Sequence, residues 1–348
     1  MMFESDREAQ ALEAFLMARE GIRFPSEGTV WIQRAVDGPY FSRLKTRFTP
    51  LIHQSDRRLA APFIEQGLDP GVKPDHPINL AIVFATKHRE EVLYHLALAA
   101  EWLAEGGHLV VAAANDLGAG SLEKRVRELF GSCDAFSKHK CRVLQAIKRS
   151  DALDQALLAR WRSGGEMRKV DPEGLWGAPG IFSWKRPDEG SRLLAGFIPQ
   201  GLEGRGADFG AGNGYLALRL LERNPHIEAL DLLEVEKKAL DAAAINLKAY
   251  AASGPRLGFH WTDVSCGSGL TGLDFIMMNP PFHSERGSLP LLGQRFIAEA
   301  MKALRPGGRL FMVANRHLPY EAALGSAGGS LVRREEASGF KVLEVLKR

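Results

Sequence analysis

The sequence predicts an α/β chain with two tandem, doubly wound, mostly parallel sheets, each finishing on an antiparallel terminal strand, and with its chemistry confined to the second. Three observations lead there. The chain has 348 residues, more than one core usually serves. Its halves echo each other: LAEGGHLVVAAAND (Leu103 to Asp116) has the pattern of LRPGGRLFMVANRH (Leu304 to His317), a helix end, a Gly-Gly stop and a buried strand. Strand and helix patterns then alternate through the second half, the signature of a sheet with helices on both faces.

Taken in order, the opening MMFESDREAQALEAFLMARE mixes acids and bases without a continuous apolar segment, so it reads as a helix rather than a secretory signal. INLAIVFATKHREE (Ile78 to Glu91) corresponds to the LDFIMMNPPFHSE region of the second half. KHKCRVLQAIKR (Lys138 to Arg149) matches SGFKVLEVLKR (Ser338 to Arg348), both alternating segments that suit a terminal edge strand. Where the second half has NPPF the first has approximately ATKH, and no glycine-rich turn occurs between Met1 and Asp75. The first copy is therefore expected to be degenerate. RSGGEMRKVDPEGLWGAPG (Arg162 to Gly180), rich in Gly, Pro and charge, sets the expected division: a first domain over 1–160, a linker over 161–178 and a second domain over 179–348.

In that second domain GADFG (Gly206 to Gly210) ends a strand and YLALRLLER begins a helix. HIEALDLLE (His226 to Glu234) is the next strand, and KKALDAAAINLKAY carries apolar positions at helical spacing. GFHWTDV, LDFIMM, a helix from about Leu289 to Leu304, the strand GRLFMVAN and the closing FKVLEVLK complete the series.

Composition narrows the class. Hydrophobic residues at 45% and charged residues at 25% are ordinary globular values, and no stretch is long and apolar enough for a bilayer. Cys133, Cys141 and Cys266 form no CxxC pair, which argues for a reducing cytoplasm and no structural metal. Lys+Arg 45 against Asp+Glu 42 gives a formal +3, too little to announce a nucleic acid. The bases Lys124, Arg125, Arg127, Lys138, Lys140, Arg142, Lys148 and Arg149 outnumber Glu123, Glu128 and Asp134 locally, and read either as a phosphate grip or as a solvated helix and strand.

Two motifs carry the chemistry. DFGAGNGYL (Asp208 to Leu216) places Gly210, Gly212 and Gly214 at a strand-to-helix turn, where positive φ and bare backbone let amides approach a ligand. Tyr215 stands where a dinucleotide fingerprint wants its third glycine. Glu234, at the end of the next strand, suits the two hydroxyls of a ribose, with Asp231 as its fallback. Asp263 ends the following strand and suits an adenine amino group or a turn cap. The second motif, NPPF (Asn279 to Phe282), ends an apolar strand with an amide, two prolines and a ring. An exocyclic amine is a poor nucleophile because its lone pair is delocalised. The Asn279 side-chain oxygen and the Pro280 carbonyl can accept its two N–H groups, Pro281 fixes their direction, and Phe282 offers a stacking face.

In this order, DFGAGNGYL, Glu234, Asp263 and NPPF resemble a class I S-adenosylmethionine-dependent methyltransferase acting on an amino nitrogen. Phe282, GIFSWKRPDEGSRLL (Gly180 to Leu194) and VANRHLPYE (Val313 to Glu321) narrow the resemblance to the ribosomal RNA guanine-N2 methyltransferases. The tandem layout points to the small-subunit rRNA methyltransferase C group, with the large-subunit methyltransferase G group as sibling.

The resemblance implies two Rossmann-like methyltransferase domains and S-adenosyl-L-methionine as cofactor. Asp208 would meet its methionyl amino group, and Gly210, Ala211, Gly212 and Gly214 would give backbone contacts. Glu234 would hold the ribose and Asp263 the adenine. Asn279, Pro280, Pro281 and Phe282 would hold guanine, with Asn279 also beside the cofactor. Asp188 and Ser191 resemble residues near that site, and Asp188 also reads as a helix cap; His283 is at most accessory. The implied partner is ribosomal RNA or a subunit assembly intermediate, met by a cytoplasmic chain, expected to be monomeric, with no membrane or metal. Methylation of 23S rRNA, of a protein glutamine, or a non-enzymatic RNA-binding assembly role are the alternatives.

Overall fold

The computed structural model describes residues 6–18, 24–170, 174–251, 254–280 and 289–348. The chain divides into two compact units, Met1–Glu166 and Met167–Arg348. The first runs α1 (Asp6–Ala18), β1 (Gly28–Gln33), α2 (Pro39–Lys45), β2 (Phe48–His53), α3 (Arg57–Glu65), β3 (Ile78–Phe84), α4 (Arg89–Trp102), β4 (Leu103–Ala114), α5 (Ala119–Phe130), β5 (Asp134–Lys138), β6 (Cys141–Ile147) and α6 (Gln155–Gly164). The second runs β7 (Arg168–Lys169), β8 (Trp176–Gly177), α7 (Glu189–Phe197), β9 (Gly204–Phe209), α8 (Tyr215–Arg223), β10 (Ile227–Glu234), α9 (Lys237–Asn246), α10 (Lys248–Ala251), β11 (Arg256–Trp261), β12 (Leu273–Met278), α11 (Leu289–Ala303), β13 (Leu304–Asn315), α12 (Tyr320–Ser326), β14 (Gly329–Ala337) and β15 (Phe340–Lys347).

The sheets share one plan. The first has the order β2-β1-β3-β4-β6-β5 and the second β11-β10-β9-β12-β13-β15-β14. In each, all pairings are parallel except those of the last two strands. Parallel strands need helical crossovers, and those helices cover both faces, so the strands read as continuous apolar runs. Along the second sheet Leu232, Phe275, Met277 and Phe311 pack with α7 to α9 on one face. Leu233, Ile276, Met278 and Leu310 pack with α11 and α12 on the other. The first sheet is sandwiched likewise, Ile32, Leu80 and Ile82 on one side and Trp31, Ala81 and Val83 on the other.

Side-chain contacts repeat at matching positions. Lys148 Nζ donates to the Leu103 carbonyl at 2.6 Å, and Lys347 Nζ to the Leu304 carbonyl at 2.6 Å. His108 and Gln145 bond across β4 and β6 at 2.9 Å, where β13 and β15 have Arg309 and Glu344 at 2.6 Å. Arg142 pairs with Glu123 of α5 at 2.7 Å, and Lys341 with Glu321 of α12 at 2.7 Å. The duplication is thus structural as well as textual.

Three expectations change. The closing segments are not edge strands: β6 lies between β4 and β5, and β15 between β13 and β14. The edge belongs to β14, whose residues from Leu331 onward are exposed and so carry no apolar alternation. The described residues of 161–178 include regular elements: Trp161 is the buried residue of α6, and β7 and β8 pair within the second unit. Among the basic run, Arg127 and Arg142 both pair with Glu123, and Lys124 and Arg125 with Glu128. Among the described residues no helix is long and apolar enough to cross a membrane, and no group of three or more His, Cys, Asp or Glu side chains stands together as a metal site.

Gly206, in the middle of β9, has an ordinary φ and is glycine for space: a Cβ there would collide with the Phe275 ring on β12. Gly206→Ala is expected to destabilise the second unit by about 1–3 kcal/mol through overpacking. Hydrogen exchange of β9 and β12 amides should report the loss, with β1 and β3 unaffected.

Candidate active site

The second sheet brings three strand ends level. Asp208 of β9 pairs with Leu232 of β10 and with Met277 of β12, so Gly210, Glu234 and Asn279 follow within two residues of one edge. There Gly210, Gly212 and Gly214 have φ of 77°, 55° and 80°. The amides of Gly210 and Ala211 donate to the Leu233 carbonyl at 2.9 and 3.1 Å, folding the loop back over β10. A Cβ on Gly212 would meet open space, whereas one on Gly214 would lie 3.0 Å from the Ala243 Cβ. Gly214 therefore serves helix packing, and Gly212 faces room for a ligand. Helix α8 starts after Gly214, which has no side chain with which to cap its first amides.

Two acids are buried behind this loop. Asp208 is fully buried, and neither carboxylate oxygen has a partner at hydrogen-bond geometry. Burial first, then the charge of Glu234, push its pKa up to about 8, with the Ala217 amide pulling the other way. Glu234 is also raised, by burial, against the pull of two amides it accepts from, Glu236 N at 2.9 Å and Gly212 N at 2.8 Å. Asp231 lies three residues inside the strand, bonded to His260 at 2.8 Å, and is not at the edge. Asp263 caps a short 3-10 turn, accepting the Ser265 amide at 2.9 Å and the Cys266 thiol at 3.6 Å.

Asn279 is half-buried at the end of β12. Its Nδ2 donates to Asp188 Oδ2 at 2.9 Å and to Ser191 Oγ at 2.7 Å, both from the start of α7, while its Oδ1 is buried without a partner. A carboxylate only accepts, so Asp188 fixes which end of the amide is nitrogen. Pro280 is buried. Pro281, Phe282 and His283 lie outside the described residues.

The sequence reading missed a brace behind the glycine loop. The Trp176 carbonyl of β8 accepts from Asn246 Nδ2 at 3.1 Å and Asn213 Nδ2 at 3.4 Å, Trp176 N donates to Asn246 Oδ1 at 2.7 Å, and Asn246 Nδ2 also reaches the Asn213 carbonyl at 2.9 Å. Its one visible signal was an amide at the end of the apolar helix AAAIN.

Strand register identifies what the first unit has in the same places. Ile32 stands for Asp208, Arg34 for Gly210 and Phe84 for Asn279. The counterpart of NPPF therefore begins at Phe84, one residue before the expected ATKH. Gln54 stands for Glu234: its Oε1 accepts Asp56 N at 2.9 Å, as Glu234 accepts Glu236 N. Arg34 keeps φ 53° without being glycine, and its guanidinium donates to Ser55 Oγ. The fold persists there while the residue types at the matching positions differ.

A glycine-turned first βα loop, acids after adjoining strands and an amide-proline strand end on a doubly wound sheet define a class I methyltransferase. The Methyltransferase small domain family matches residues 174–344, and its N-terminal companion matches residues 53–162. Proteins named ribosomal RNA small subunit methyltransferase C are similar along most of the chain. The Shewanella oneidensis protein is 31% identical over 268 residues, 76% of each chain, and the Shewanella amazonensis protein 29% identical over 282 residues, 79% of each. This chain belongs to that small-subunit rRNA methyltransferase C family. A T. thermophilus 16S rRNA N2 G1207 methyltransferase, solved with AdoMet and guanosine, shares the fold with a TM-score of 0.80 at 22% identity, over 99% of this chain and 92% of that one.

An acid with a raised folded-state pKa keeps a proton that the unfolded chain has released. Asp208 therefore costs stability progressively as pH rises from 3.8, its ordinary value, to about 8, and the full cost persists above. Thermal scans at pH about 5 and about 8 should show the midpoint of Asp208→Asn gaining on wild type with rising pH. Parallel profiles would refute the assignment.

Proposed function

We propose that this chain transfers a methyl group from S-adenosyl-L-methionine to the exocyclic N2 of a guanine in small-subunit ribosomal RNA, with the chemistry in residues 179–348 and none in the degenerate 1–160. One observation carries the reading: the Asn279 amide oxygen is buried and unpartnered at a strand end while its nitrogen is held. An acceptor kept waiting in that way suits a substrate N–H group.

The residues suit such a donor. Asp208 offers an unsatisfied carboxyl to an ammonium, and the bare Gly212 backbone faces room beside it. Gly210, Ala211 and Gly214 shape the loop, and the Glu234 carboxylate can trade the Gly212 amide for ribose hydroxyls. Asp263 stands at the end of β11 within reach of an adenine amine in this scheme. The bound donor supplies an electrophilic methyl on a sulfonium that loses its charge as the new bond forms.

The remaining work belongs to the chain. Asn279 Oδ1 and the Pro280 carbonyl accept the two N2 hydrogens, pulling the lone pair out of conjugation and directing it at the methyl. Pro281 stiffens the pair and Phe282 stacks on the base. Neither acceptor is basic, so the proton leaves to water after the N–C bond has formed. Most of the acceleration comes from fixed placement, worth on the order of 7–11 kcal/mol in well-oriented systems. A paired guanine cannot present N2 in this way, so the substrate is an opened strand or an assembly intermediate.

Asn279→Ala should lower turnover by on the order of 10²-fold, as loss of one preorganised polar contact does, with donor affinity changed little. A tritiated-methyl assay on small-subunit particles, 23S rRNA and a glutamine-bearing release factor reads the substrate. Label confined to 23S rRNA or to protein would overturn the proposal.

A further inference from the structure

The amide of Asn279 is held by more than its own strand. Its Nδ2 has two hydrogens, and each has an acceptor: Asp188 Oδ2 at 2.9 Å and Ser191 Oγ at 2.7 Å. The same Asp188 oxygen accepts the Ser191 amide at 3.0 Å, which caps α7. One carboxylate oxygen thus registers the helix and orients the amide together. Gly190 gives the oxygen room: a Cβ there would sit 3.1 Å from Asp188 Oδ2 and 3.1 Å from the Phe340 ring at the start of β15, both tight approaches. Its φ is not in the left-handed region, so what a side chain would change there is the close approach and not the backbone conformation.

We propose that Asp188 and Ser191 are positioning residues that lock the Asn279 carboxamide into an acceptor-only role, and that this lock selects a nucleobase bearing an amino group at the reacting position. A free carboxamide is ambivalent: a half-turn about its last torsion swaps donor for acceptor. With Nδ2 committed, the swap would set the Asn279 oxygen against the Asp188 carboxylate, which can only accept, a repulsive contact in a half-buried place; Ser191, whose hydroxyl can donate or accept, holds the nitrogen but the Asp188 oxygen forbids the swap. The side chain can then present only Oδ1. A purine with a carbonyl in place of the amine would face that oxygen with another acceptor and be rejected, in the way a site built for a hydrogen bond rejects a partner that cannot make it.

This inference rests on the reading of Asn279 given above, and its test separates the two. Because Asp188 also caps α7, the informative change is Asp188→Ser, which keeps a capping hydroxyl but is too short to reach Asn279. Combined with Ser191→Ala it should lower kcat for methyl transfer ten- to a hundred-fold while KM for RNA, the S-adenosylmethionine dissociation constant and the thermal midpoint move little. Asp188→Asn, which retains an oxygen at the same reach, should recover most of the rate lost in Asp188→Ser. The lock also predicts that the double variant discriminates less well between RNA carrying guanosine and RNA carrying xanthosine at the target, measured as competitive binding. If Asn279→Ala loses turnover but the double variant does not, the positioning role is wrong and the site stands. If Asn279→Ala itself turns over normally, the reading of the site falls first. A double variant with collapsed cofactor binding or a lowered midpoint would mark Asp188 and Ser191 as structural and overturn the proposal.

Discussion

Everything at the candidate site depends on the parallel register of β9 with its two neighbours. Because Phe209 pairs with Leu233 and with Met278, the three strands end at one level. The residues just beyond are then the glycine that turns the chain, the carboxylate that braces the turn and the amide held by the start of α7. A slip of one residue in β12 would send Asn279 to the opposite face and bury its amide under α11. The register is enforced by packing rather than by the site: Phe275 fills the space left by Gly206, and both sheet faces are closed by helices. The apolar core thus does the aligning, so the polar residues at the edge are not needed to set the register.

That separation explains what could be read from the sequence. The alternation of elements, the echo between halves and the positions of the two motifs were legible, because apolar runs, Gly-Gly stops and a double proline are local signals with local causes. β14 was not, since SLVRREEA is exposed almost throughout and has no buried face to betray it. The roles of the closing strands were misjudged for the same reason, as their outer partner was invisible. Side-chain networks were the least legible. Asp188 and Asn279 are 91 residues apart, and Trp176 and Asn246 are 70 apart. Only the topology makes them neighbours. Asp263 shows the converse limit: a cap and a ligand acid look alike in sequence, and the cap seen in the structure does not distinguish them, since one carboxylate can serve as both.

The first unit supplies an internal control on the cost of the second unit's acids. With the same strand order, Ile32 stands where Asp208 stands and Gln54 where Glu234 stands. A neutral amide does the structural half of the carboxylate's work, for Gln54 accepts the Asp56 amide and donates to the Ala35 carbonyl at 2.7 Å. The turn itself survives unchanged, with Ala35 N bonded to the His53 carbonyl at 3.1 Å just as Ala211 N is bonded to Leu233. The fold therefore has no need of charge at either position. Burial raises both carboxyls against their ordinary range, the charge of Glu234 raises Asp208 further, and neither finds a cation among the described residues. A buried acid that the scaffold can replace with isoleucine, and that destabilises the scaffold when ionised, is a candidate for a role outside the scaffold, the one proposed above. A cationic, hydroxyl-bearing ligand would reverse both penalties, since its ammonium restores the Asp208 charge to a paired state and its hydroxyls replace the amide held by Glu234. On this view the second copy gives up stability for binding energy, and the first copy shows where the same backbone settles once that demand is lifted.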